Sequence, residues 1–166
     1  DVFNKALSID STNADAHCAL ADTYMKDKEY DKAILEYQKA SQLVPDNESV
    51  LIKLGNAYKA KSETKNALDM YQKVIFKNLK NTDAMFNAGL CYAELNDNNN
   101  AIKSFKNVIA IDPNYAYAYY ALGMAYENEK NYPESIANYK KFMTLTDDNE
   151  TKAQVKNQIE YLKNKK

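Results

Sequence analysis

The side chains that could do chemistry are few. His17 is the single histidine and is followed by Cys18; Cys91 is the other cysteine, and 14 tyrosines complete the set. A zinc site would need about four ligands converging on one point, and neighbours on a helix such as His17 and Cys18 project ~100° apart. No further His or Cys lies nearby to complete such a site. Cys91 and Ser135 would each need a base beside them to act as nucleophiles, and the sequence offers none. Neither a glycine-rich phosphate loop, a Gly-x-Ser-x-Gly elbow nor a His-Glu-x-x-His pair occurs. The expectation is no catalytic residue, no cofactor and no metal, with His17 packed inside a helical core.

The elements that carry these residues must be helices. Three Gly and three Pro in 166 residues, with a mean hydropathy of −0.66, leave little of the punctuation that sheets and tight turns need. No window approaches eighteen apolar residues and the N-terminus has no basic segment leading into an apolar run, so neither a membrane span nor a signal peptide is expected. Twenty-two cations, all lysine, face 23 acidic residues for a net charge of −1. Without arginine there is no bidentate fork for phosphate or carboxylate, and near-neutrality gives little pull on nucleic acid. Neither nucleic acid nor membrane is therefore an expected partner.

The decisive signal is periodic. Gly55, Gly89 and Gly123 stand 34 residues apart and are the whole glycine content. Tyr24, Tyr58, Tyr92 and Tyr126 form a second column at that period, and Tyr37, Tyr71, Phe105 and Tyr139 a third, which Phe3 extends backwards. Ala33, Ala67, Ala101 and Ser135 form a column of small residues. Leu20, Leu54, Ala88 and Leu122 precede the glycine slot, Ala21 occupying it in the first copy, and Pro45 and Pro113 share a slot with Leu79 and Asp147. The tyrosines are thus core before they are chemistry.

This pattern resembles the tetratricopeptide repeat, and the resemblance covers nearly the whole chain. It implies an all-α, right-handed superhelical solenoid of antiparallel helix pairs. The expected organisation is the second helix of a truncated repeat over 1–13, repeats over 14–47, 48–81, 82–115 and 116–149, and a capping helix over 150–166. His17, Leu51, Met85 and Tyr119 fill the slot where the family often has Trp.

The residues agree with that reading. Leu51, Leu54, Gly55 and Tyr58 lie on one face of a helix, and Ala67, Leu68, Tyr71 and Val74 make the facing stripe. The glycine allows close approach and the aromatic fills the space beyond. Each pair buries one side of itself, so neighbours must stack. Asp46, Asn81 and Asn114 precede helices as expected caps, the run from Asp97 to Asn100 reads as a turn, and Pro133 suits a helix's first turn. Val155, Ile159 and Leu162 give the last helix one apolar stripe, expected to dock on the helix from Ser135 to Leu145. Phe3 and Leu7 should leave an exposed edge through which copies could self-associate. Cys18 and Cys91 fall in non-adjacent repeats, beyond the ~7 Å Cα limit for a disulfide. Free thiols point to a reducing, cytoplasmic compartment.

In this family the first helix of each repeat lines the concave surface. The groove positions are then Cys18 with Asp22, Ile52 with Asn56, Phe86 with Leu90 and Tyr120 with Met124, flanked by Asp15, Lys53, Lys59, Asn87 and Tyr117. Phe86, Leu90, Tyr120 and Met124 are open to two readings, an exposed interaction patch or packing against adjacent helices. In chaperone-binding members a clamp of lysines, arginine and two asparagines grips a C-terminal acidic peptide. Asn56 and Asn87 match both asparagine slots, but Ile52, Tyr117 and Ala121 stand where the cations belong. The asparagine ladder of the array attached to O-linked N-acetylglucosamine transferase keeps only Asn87 among Ala19, Lys53, Asn87 and Ala121. The expected function is a non-catalytic scaffold binding a protein or peptide segment with apolar anchors, with a substrate-recruiting arm of a larger enzyme or a self-assembling array as alternatives.

Overall fold

The computed structural model describes residues 12–165, and these form nine α-helices: α1 (Ala14–Lys26), α2 (Tyr30–Leu43), α3 (Glu48–Ala60), α4 (Thr64–Lys77), α5 (Thr82–Glu94), α6 (Asn98–Ile111), α7 (Ala116–Asn128), α8 (Tyr132–Leu145) and α9 (Asn149–Lys163). The helix expected from Phe3 and Leu7 lies outside the described residues; Thr12 is in a turn and Asn13 is a cap. The chain divides into two compact units, the boundary falling between Leu79 and Lys80. In the first, α1 pairs with α2 and α3 with α4; in the second, α5 pairs with α6, α7 with α8, and α9 rests on α8.

The 34-residue period is visible in the backbone itself. Asn13, Asn47 and Asn81 cap α1, α3 and α5, each side chain accepting from the backbone N–H three residues on, at 2.9, 3.2 and 2.9 Å. Asp46 and Asn114 are not the caps: Asn47 and Tyr115 hold those positions, and Tyr115 contributes no side-chain bond. A tight cap needs its oxygen on the residue with extended backbone, and here that residue is one later in the chain. The Asn run is likewise shifted. Leu95 and Asn96 form the turn, Asp97 caps α6 by accepting from Asn100 N–H at 3.2 Å, and Asn98 to Asn100 already form the first turn of that helix.

Each helix pair is joined by a turn with a left-handed residue, at Lys28, Ser62, Asn96 and Lys130 (φ 59, 65, 61 and 58°). The residue after each donates to the carbonyl of Tyr24, Tyr58, Tyr92 and Tyr126, at 2.8, 2.8, 2.8 and 2.9 Å, closing a six-to-one Schellman ring. The tyrosine column therefore marks where each first helix ends. No glycine serves these turns, for none has positive φ.

The glycines serve packing instead. A Cβ on Gly55 would lie 2.7 Å from Cε1 of Tyr71, one on Gly89 2.6 Å from Cε1 of Phe105, and one on Gly123 2.6 Å from Cδ1 of Tyr139. The ring of the second helix thus lies directly on the backbone of the first. Ala33, Ala67, Ala101 and Ser135 are fully buried beside these rings. Interiors this dense resist even one added methyl group. In the first unit Ala21, Ala33, Ile34, Tyr37, Leu54 and Ala57 form one core; in the second, Ala101, Phe105, Leu122 and Ala125 form a core, and Tyr139 and Phe142 form another with Val155, Ile159 and Leu162 of α9. Asp148 caps α9 by accepting from Thr151 N–H at 3.0 Å.

Candidate partner-binding faces

In the first unit the expected groove residues are tied both to the core and to one another. Asp22 Oδ1 accepts the Tyr37 hydroxyl, and its Oδ2 lies 2.7 Å from Lys53 Nζ. Burial and then this bond push the Tyr37 phenol well above its ordinary value. The Lys53 ammonium therefore already has a carboxylate partner within its own unit. Asn56 is exposed, and its Oδ1 accepts from the Tyr71 hydroxyl at 2.7 Å. Lys59 is half-buried near the end of α3. Cys18 packs on the core of α1 to α3; burial pushes its thiol up, against the opposing pull of Lys53.

In the second unit the apolar column is partly packed. The Phe86 ring stands 5.7 Å from Phe105 and 5.2 Å from Tyr115, and Leu90 packs on the same core. Tyr120 stands 5.8 Å from Tyr139 and 5.2 Å from Phe142. Both Phe86 and Tyr120 are half-buried, so they form the floor of a face more than free anchors. Tyr117 and Met124 project further, each 47% exposed. The Tyr117 ring packs 5.7 Å from Phe142, and its hydroxyl donates to Asp148 at 3.3 Å. The Asp148 charge holds the Tyr117 phenol above its ordinary value. Asn87 turns back on its own helix and donates to the Asp83 carbonyl at 3.0 Å, which leaves it poorly placed as a ladder or clamp asparagine.

A cleft of about 310 Å³ opens beside Met124, lined by Tyr120, Met124, Glu127 and Asn128 of α7, Tyr139 of α8, and Gln154, Val155 and Gln158 of α9. Glu127 Oε2 accepts from the Tyr139 hydroxyl at 3.0 Å, and Oε1 from Gln158 Nε2 at 2.6 Å. Sequence reasoning missed Glu127, Gln154 and Gln158. The signal was present in Glu127 one turn beyond Met124 and in the i, i+4 pair Gln154 and Gln158 on the polar side of the α9 stripe.

Outside these faces, His17 is buried with Nδ1 2.6 Å from Glu36 Oε2, whose Oε1 accepts from Lys39 Nζ at 2.7 Å. Burial acts to raise the Glu36 carboxyl, but the hydrogen bonds from Lys39 and His17 outweigh it and hold it below its ordinary range. Among the described residues no three His, Cys, Asp or Glu side chains converge on a metal-sized site, and no helix is long and apolar enough to cross a membrane.

These features define a helical-repeat scaffold of antiparallel pairs. The chain belongs to the tetratricopeptide repeat family: a family model described as TPR repeat matches residues 21–62 and 89–130, and models described as tetratricopeptide repeat match residues 2–35 and 116–149. Among solved structures, a crystal structure of MamA is similar at a TM-score of 0.82 and 28% identity, covering 92% of this chain and 87% of that one. A crystal structure of MamA protein follows at 0.80 and 28%, covering 92% and 81%. A structure of Pseudomonas aeruginosa pilF shares the fold at 0.78 with 21% identity, covering 99% and 82%. No curated protein matches the sequence. Membership of this family makes the chain a scaffold for contacts between proteins.

Proposed function

We propose that this chain is a non-catalytic scaffold that holds a segment of a partner protein against the exposed side of α7 and its neighbours in the second unit. The observation that carries the reading is the pair Tyr117 and Met124, two turns apart on α7 and each 47% exposed, over a floor of half-buried Tyr120. Large apolar side chains held half out of a packed floor, with a cleft beside them, are what an anchor residue of a partner needs. The segment carries apolar anchors at helical or extended spacing. In the first unit, Asp22 and Lys53 neutralise one another, so that face contributes shape and hydrogen bonding more than charge. That neither Cys18 nor Cys91 is in a disulfide supports a reducing, cytoplasmic setting.

The test is selection of peptides from a random display library on the immobilised chain, repeated on the double variant Tyr117→Ala, Met124→Ala. Sequences enriched on the native chain and at least tenfold depleted on the folded variant are expected. Enrichment that is equal on both, or none on either, would overturn the reading.

A further inference from the structure

The cleft between α7 and α9 contains a carboxylate and no cation. Of its lining residues Glu127 alone is charged. Tyr139 and Gln158 each donate one hydrogen bond to Glu127, to opposite oxygens, so the carboxylate is fixed in orientation while each oxygen keeps a second lone pair for a further donor. Gln158 gives its amide N–H to Glu127, which leaves its carbonyl oxygen to accept. Asn128 and Gln154 add two more amide groups to the rim. On the same helix as Glu127, Tyr120 and Met124 add an aromatic ring and a thioether to the lining. A carboxylate and an apolar surface lining one cleft match a side chain with a hydrocarbon stem and a cationic head.

We propose that this cleft is the subsite for a lysine or arginine side chain of the bound segment, its stem lying on Tyr120 and Met124 and its head donating to Glu127 and the Gln158 carbonyl. The inference rests on the groove reading above and adds a charge requirement to the partner. Asp148, bonded to Tyr117 on the same unit, adds a second negative charge to the approach. Its carboxyl is held below the ordinary range, chiefly by hydrogen bonds from Thr151, and so stays ionised. Long cationic side chains gain most where the head meets a carboxylate partly shielded from water and the stem meets apolar surface.

The probes are three capped tripeptides, Ac-Leu-Lys-Leu-NH2, Ac-Leu-Arg-Leu-NH2 and Ac-Leu-Nle-Leu-NH2, the last replacing the cation with norleucine of similar stem length. Each is titrated into the isotopically labelled full chain and followed by the amide and side-chain NMR signals of Met124, Gln154 and Gln158. The lysine or arginine peptide is expected to move these signals with at least fivefold tighter half-saturation than the norleucine peptide, and added salt should erase that advantage. Glu127→Gln, whose shape is nearly unchanged, should erase it too; the comparison of peptides on the native chain decides the matter even where that variant is unstable. Equal binding of the norleucine peptide would overturn the cationic subsite while leaving an apolar groove intact. Absence of any shift at these residues would overturn the subsite, and the library selection then decides the groove reading separately.

Discussion

The hydroxyl of Tyr71, from the ring column of the second helices, donates to Asn56, from the exposed column of the first, at 2.7 Å. The same column pairing recurs along the chain with matched chemistry. Tyr37 meets Asp22, Phe105 has no hydroxyl and its counterpart is Leu90, and Tyr139, whose counterpart is Met124, sends its hydroxyl to Glu127 instead. Two residues that read as ligand contacts thus satisfy buried phenols. Tyr71→Phe and Asn56→Leu should each cost about 1 kcal/mol alone, and the double variant should cost about 1 kcal/mol less than their sum. Urea unfolding of the four species measures that coupling.

Ser62 sits with φ of 65° in the turn between α3 and α4, where a Cβ is unfavourable by about 1 kcal/mol. Glycine removes that strain but has more freedom to lose on folding, by roughly 0.5 to 1 kcal/mol. Ser62→Gly should therefore gain at most about 0.5 kcal/mol. Asn96→Gly, where Asn already tolerates the left-handed region, should change stability less, as a pair of thermal melts would record.

Ser135 occupies the small-residue column that is alanine in the other three repeats, and its hydroxyl is fully buried, with no hydrogen bond of ordinary geometry and the Tyr139 phenol as its one polar neighbour of note. An unsatisfied buried hydroxyl costs about 1 to 3 kcal/mol. Ser135→Ala should raise the melting temperature, with a gain of about 1 kcal/mol. The reverse change, Ala67→Ser, should lower it.

One period after His17 and Glu36 the same slots hold the apolar residues Leu51 and Met70. Since the folded-state value of Glu36 is depressed, its stabilisation is complete above the ordinary carboxyl value of 4.5 and is lost as pH falls through the lower folded value. Glu36→Met alone should cost about 2 kcal/mol by removing the carboxylate that both His17 and Lys39 bond. The double variant His17→Leu, Glu36→Met should be as stable as the native chain or more so. Its urea midpoint should also fall less between pH 6 and pH 3.

How much of this was legible in the sequence follows from how far apart the interacting residues are. The glycine and aromatic columns announce themselves because each is one residue type at one period, and the α9 stripe because Val155, Ile159 and Leu162 are close in the chain. Of the expected caps Asn81 is in place, while Asp46 and Asn114 each fall one residue early; Asp46 and Asn47 both have capping side chains and only the backbone angle separates them. The Glu36 partner of His17 lies 19 residues on and the Asp22 partner of Lys53 lies 31 back, so neither leaves a local signal. The half-burial of Phe86 and Tyr120 depends on rings of other helices, which periodicity alone does not place. Glu127 stood outside the expected groove because its role comes from α9, an element that breaks the repeat.

The most direct measurement of the central claim is photo-crosslinking from the α7 face. A benzophenone amino acid is placed at position 124, and separately at position 137, which is exposed on α8. Each labelled chain is irradiated in extract of the source cells. The account predicts a discrete crosslinked partner from position 124, competed away by excess unlabelled chain and absent from position 137. Crosslinking that is equal from both positions, or confined to position 137, would contradict it.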